Sequence, residues 1–210
     1  MGLSLKGIYN KLYGFFGPQR WWPADSAFEV MIGAILTQNT SWANAEKAIA
    51  NLKKNKLLEA SRLYGLSDAR LALLIRSAGY YNVKTKRLKS FLEFFIKDYK
   101  ASHKKMAQAD TMALREKLLS VKGIGPETAD SILLYALGKP VFVVDAYTKR
   151  IFARHKIIND GGDYGSVQRI FMKNLPKDAG LFNEYHALLV RLGKEYCSKN
   201  TPKCISCPLS

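Results

Sequence analysis

The segment SVKGIGPETADSILLYALGKPVFVVDAY, residues 120–147, holds the residue types with most chemistry in them. Asp145 follows the apolar run VFVV, and a carboxylate delivered by such a run is costly to bury unless something uses it. Upstream, Gly123 and Gly125 can take positive φ and expose backbone N–H groups with no Cβ in the way. Pro126 suits the first turn of a following helix, whose own unpaired N–H groups join those of the glycines. Together they make an anion site suited to a phosphate, with Lys122 adding charge beside it. An ordinary helix–helix turn with a glycine cap fits the same residues.

The whole chain leans the same way. Its 210 residues carry 33 Lys and Arg against 17 Asp and Glu, a formal charge of +16, which points to a polyanion and most simply to nucleic acid. A basic, well-solvated surface is the plainer alternative. LLSVKGIGPETADSIL then reads as helix, tight turn, helix: a helix-hairpin-helix clamp on the DNA backbone. Such a clamp carries no base information, so it predicts binding to DNA in general.

These residues must be positioned by helices, because helical periodicity dominates. Ser26 and Glu29 form a capping box ahead of Phe28, Met31, Ile32, Ile35 and Leu36. Trp42, Ala45, Ala48, Ile49 and Leu52 lie on one stripe. Ser67 caps a helix that Gly79 stops, Asn82 caps the next, and Asp110 caps the one before the glycine turn. Leu88, Phe91, Leu92 and Phe95 face inward. PVFVV is a single apolar run with no partner strand. The reading is an all-α protein of roughly ten helices in two lobes, large enough to bury a sizeable core.

No apolar run is long enough to span a membrane, and MGLSLKGIYNKLYGFF lacks a signal-peptide core, so a cytoplasmic protein of a bacterium or archaeon is expected. Three cysteines within the last 14 residues are not a disulfide framework.

VKGIGPETA followed by VVDAY, with Asp145 twenty residues after Gly125, resembles the helix-hairpin-helix, Gly/Pro-rich, aspartate (HhH-GPD) superfamily of DNA glycosylases. ILTQNTSWANA, SAGYYNVKTKRL and CSKNTPKCISC resemble, in order, the base-gap plug, DNA wedge and iron–sulfur loop of the endonuclease III branch. The resemblance implies two helical lobes: 26–138, holding the hairpin at about 113–137, and 1–25 with 139–210, the active cleft lying between them. It implies Asp145 as the catalytic carboxylate, stabilising an oxocarbenium-like state and orienting or deprotonating water. Bifunctional members carry a lysine where this chain has Glu127, and a carboxylate cannot form an imine, so base removal without strand cleavage is implied. Gln38 then fills the vacated stack, Tyr80 wedges beside it, and Lys84, Lys122, Gly123, Gly125 and Lys149 contact the DNA backbone. The partner implied is double-stranded DNA with damaged bases, bound by a monomer with no membrane involved.

Trp21, Trp22, Trp42 and Tyr147 border the base pocket in this resemblance, and an electron-rich aromatic set suits a flat cationic base such as an alkylated purine. WWP, LTQNT, Glu127 and Tyr147 together most resemble the bacterial type III 3-methyladenine DNA glycosylases. Paired tryptophans also serve as core or interface packing. Cys197, Cys204 and Cys207, spaced C-x6-C-x2-C, are implied ligands of a [4Fe–4S] cluster whose fourth cysteine is not in this sequence. Two other readings stay open: an endonuclease III-like glycosylase/lyase for oxidised pyrimidines or a mismatch glycosylase, and a non-catalytic helix-hairpin-helix DNA-binding module.

Overall fold

The computed structural model describes residues 4–210, and no strand occurs among them. The α-helices run over Leu5–Phe16 (α1), Ala27–Leu36 (α2), Trp42–Lys54 (α3), Ala60–Gly65 (α4), Asp68–Leu74 (α5) and Tyr81–Tyr99 (α6). His103–Gln108 (α7), Thr111–Ser120 (α8), Pro126–Ser131 (α9), Ala146–Arg154 (α10), Tyr164–Asn174 (α11) and Ala179–Glu195 (α12) complete them. A 3-10 turn, Arg76–Ala78, precedes α6, and a wider π-turn, Ile132–Ala136, continues α9. No helix among the described residues is long and apolar enough to cross a membrane.

The chain divides into two compact units, Ala24–Lys139 and Met1–Pro23 with Pro140–Ser210. The first is centred on α2, whose residues from Val30 to Leu36 are all buried, as its nearly unbroken apolar sequence requires. Phe28, Phe95 and Phe91 stack face to face, with 5.8 Å between successive ring centres. The second unit is built on α1, α10, α11 and α12. Phe142 stacks on Phe171 at 3.9 Å, and the buried Tyr185 hydroxyl donates to the Leu5 carbonyl at 2.8 Å.

Local signals account for most helix starts. Ser26, Ser67 and Asp110 accept backbone amides of α2, α5 and α8, and Pro126 opens α9. The capping box closes one residue early, with Glu29 Oε2 accepting the Asp25 amide at 3.0 Å. Asn82 does not cap α6. Tyr80 takes the cap position in the left-handed region at φ 45°, ψ 32°, so Asn82 lies inside the helix.

Lys84 is a second correction. Rather than facing DNA it is 1% exposed, and its Nζ donates to the Leu36 carbonyl at 2.7 Å and the Ala78 carbonyl at 2.6 Å. Those are the last carbonyls of α2 and of the 3-10 turn, groups with no helical partner of their own. Lys89 does the same for Tyr64 and Leu66 at the end of α4, and Lys139 donates to Ala109 after α7 at 2.6 Å.

Burial, and then the neighbouring Arg87 charge, pull the Lys84 ammonium down to about 8. The unfolded chain therefore binds this proton more tightly than the folded one between about pH 8 and 10.4. Stability contributed through Lys84 rises with pH across that window, by up to roughly 3 kcal/mol. Urea unfolding between pH 7 and 10 should show this rise in the native protein and a flatter profile in Lys84→Met.

Candidate active site and DNA-binding elements

Asp145 is carried by an extended segment that belongs to no sheet. Its backbone groups are met by α11 side chains instead: Gln168 donates to the Phe142 carbonyl at 2.6 Å, and the Val144 amide donates to the Tyr164 hydroxyl at 3.4 Å. Val143 and Val144 are each 1% exposed, which fixes the entry of the chain into α10.

Asp145 is the N-cap of α10. Its Oδ1 accepts the Thr148 amide at 2.7 Å and the Thr148 hydroxyl at 2.9 Å. Its Oδ2 lies 3.6 Å from His186 Nε2 on α12, with the two side chains 12% and 8% exposed. Burial pushes the Asp145 carboxyl up, but the His186 imidazole and the two Thr148 donors outweigh it and hold the group below the usual carboxylate range. The D-x-x-T spacing could have flagged the cap from sequence. His186, whose sequence context suggests only packing or a hydrogen bond on its own helix, carried no such signal.

Tyr147 is half-buried, with Arg150 5.0 Å from its ring centre. A Cβ at Gly193 would lie 2.3 Å from Tyr147 Cδ1 and 2.9 Å from its Cβ, so the ring occupies space that only glycine leaves. Trp21 and Trp22, also half-buried, have ring centres 5.2 Å apart, tilted by 51°. The preceding segment is tied to α12, with the Gln19 amide donating to Glu184 at 2.6 Å and Arg191 donating to the Phe16 carbonyl at 3.3 Å. Lys149 is half-buried on α10.

In the unit Ala24–Lys139, Lys122 and Glu127 are exposed on either side of the glycine turn. Gly123 has φ 91°, and a Cβ there would meet Arg87 Cγ at 2.3 Å. Gly125 differs from expectation: its φ is −94°, open to any residue, and a Cβ would enter open space. Arg115 braces the hairpin with two contacts to the fully buried Asp130, at 2.6 and 3.0 Å, tying α8 to α9. Gln38 rests on this hairpin, its Nε2 donating to the Gly123 carbonyl at 3.0 Å and Thr128 Oγ1 at 2.8 Å, while Arg87 donates to its Oε1 at 2.5 Å. Tyr80 is 70% exposed, and Trp42 is half-buried at the start of α3.

The three thiols differ in exposure. Cys197 is buried, its Sγ accepting from Arg154 at 3.2 Å, while Cys204 is exposed and Cys207 half-buried. No group of three or more His, Cys, Asp or Glu among the described residues could hold a metal ion. Arginines hold the loop instead, with Arg150 donating to Cys197 O at 2.7 Å and Arg154 to Ser198 O at 2.7 Å and Lys199 O at 2.8 Å.

Residues 32–177 match the HhH-GPD superfamily of base excision DNA repair proteins. The chain belongs to that superfamily. A Methanocaldococcus jannaschii protein assigned by name as a DNA repair glycosylase is 50% identical over 96% of this chain and 92% of its own length. The H. pylori 3-methyladenine DNA glycosylase, solved with 1,N6-ethenoadenine, superposes with a TM-score of 0.79 at 32% identity, over 90% of this chain and 96% of that one. Endonuclease III in a trapped covalent intermediate with DNA superposes at 0.84 over 98% and 92%, and at 22% identity it speaks for the fold alone. This HhH-GPD protein is thus an endonuclease III-like base excision DNA repair glycosylase.

Gly193→Ala should cost roughly 1–3 kcal/mol in denaturant unfolding, because the new methyl displaces Tyr147 rather than filling a void.

Proposed function

We propose that this glycosylase hydrolyses the N-glycosidic bond of an alkylated purine flipped out of duplex DNA and leaves the strand uncut. The observation that carries the chemistry is Asp145: a largely buried carboxylate held ionised at the start of α10, with Oδ1 occupied by Thr148 and Oδ2 facing the His186 imidazole. A carboxylate so held offers negative charge to a sugar that becomes cationic at C1′. The C1′–N bond breaks, its electron pair leaves with the base, and water adds to C1′ while Asp145 takes the water's proton. An alkylated purine starts cationic and departs neutral, so it needs little acid catalysis.

The tilted Trp21–Trp22 pair supports a flat cationic base, through attraction between ring faces and positive charge. So does the likeness to the H. pylori enzyme at 32% identity. Trp42, half-buried at the start of α3, is a further ring proposed to contact the base, while Tyr147, already engaged with Arg150 and Gly193, contributes an edge rather than a stacking face. Lys122, the Gly123 turn and the open approach over Gly125 hold a phosphate, with Lys149 as a second contact. Tyr80 is the wedge, and Gln38 leaves its three hydrogen bonds to fill the gap, offsetting part of the few kcal/mol that flipping costs. Glu127 stands where strand-cutting relatives place a lysine, which supports release without cleavage.

Incubation with methylated genomic DNA should release alkylated purines detectable by mass, and Asp145→Asn should slow release about 10²–10⁴-fold with duplex binding retained. Release of oxidised pyrimidines and not alkylated purines would replace the substrate assignment. Borohydride should trap no covalent adduct on abasic duplex DNA, and robust trapping would overturn the hydrolysis-only reading.

A further inference from the structure

We infer that His186 is a positioning residue for Asp145, holding the Oδ2 edge of the carboxylate that Thr148 does not hold. This rests on the proposal that Asp145 is the reacting carboxylate. The two carboxylate oxygens have different duties. Oδ1 is spent on the fold, accepting two bonds from Thr148 at 2.7 and 2.9 Å, which leaves Oδ2 for the reaction. The His186 Nε2 lies 3.6 Å from Oδ2, longer than a hydrogen bond. It steadies the carboxylate without occupying the oxygen as tightly as a direct donor would.

The imidazole is well placed to keep this role. It is 8% exposed, on a stretch of α12 where Tyr185, Ala187, Leu188 and Leu189 are buried too, so packing restricts its swing. The ionisable neighbours have other duties. On α10, Arg150 donates to Gly193 and Cys197 carbonyls. From α11, the Tyr164 hydroxyl accepts the Val144 amide, and from α1, Tyr9 packs edge-on against Tyr185 and feels Glu184. On α12, Glu184 holds the Gln19 amide, and Arg191 holds the Phe16 carbonyl and Glu195. The Asp145 carboxylate pairs with His186.

The sign of the pH effect follows. Burial alone raises the Asp145 carboxyl, and His186 with Thr148 brings it below the ordinary range. Removing His186 lets burial prevail, the carboxyl titrates at higher pH, and activity on the acid side fails earlier.

The test is single-turnover base release from a methylated duplex by native protein and His186→Gln between about pH 4 and 8, with spontaneous loss subtracted. The expected result is an acid limb displaced upward by about one unit, with the rate lower by up to roughly ten-fold at the acid end of that range and little changed near pH 8. Binding to a duplex holding a tetrahydrofuran abasic analogue should be unchanged. A slower variant with an unmoved acid limb reduces His186 to packing and overturns the inference. Undiminished release by Asp145→Asn would instead sink the underlying assignment of Asp145, which keeps the two failures apart. Should His186→Gln not fold, ¹³C titration of the Asp145 carboxyl in native protein decides. A step in that carbon signal at the pH where the His186 imidazole itself titrates supports the pairing, and its absence overturns it.

Discussion

An all-helical chain leaves the last carbonyls of every helix without a partner, and here lysine and arginine side chains answer many of them. Lys84 serves two such ends, Lys89 serves α4, Lys139 follows α7, and Arg191 reaches the last carbonyl of α1. Arg150 and Arg154 treat the end of α12 and the cysteine loop in the same way. A cation at a helix C-terminus also meets the negative end of the macrodipole, so each contact combines hydrogen bonding with charge. Lys84 and Lys139 apply it within the unit that carries the glycine hairpin, and Arg150 within the unit that carries Asp145. The formal charge of +16 is therefore divided between the interior and the surface, and fewer cations stand ready for phosphate than composition alone suggests.

The same economy governs Asp145. Its cap bonds to Thr148 fix where α10 begins, and the chemistry proposed for it uses what the cap leaves over. Fold and reaction compete for one carboxylate, and they are reconciled by dividing its two oxygens. Gly193, Tyr147 and Arg150 show a comparable sharing nearby. The absent side chain of the glycine admits the ring, its carbonyl accepts from Arg150, and that guanidinium lies over the ring.

What could be read from the sequence was what depends on a few adjacent residues. Ser26, Ser67, Asp110 and Pro126 mark helix starts because capping is decided within one turn, and the inward stripe of α6 follows from its spacing. Asn82 misled because a left-handed Tyr80 took the cap, a choice set by the preceding Gly79 and the exposed loop. Lys84 misled because its partners lie 48 and 6 residues away, and a lysine in a basic loop gives no local sign of burial. His186 met Asp145 across 41 positions, and Arg87 met Gln38 across 49, so neither pairing had a local pattern. The motif residues themselves were legible because the hairpin and the aspartate are short, ordered signatures. The gathering of three thiols is a tertiary matter that spacing could not decide.

The two units differ in how the ribosome must deliver them. Ala24–Lys139 is one unbroken stretch and can close its core as soon as that stretch has left the exit tunnel, whereas the other unit needs α12 before α1 has anything to pack on. Until then the apolar stripe of α1, with Leu5, Ile8 and Leu12, stays uncovered while everything between α1 and α12 is made, which exposes the nascent protein to aggregation and to chaperones.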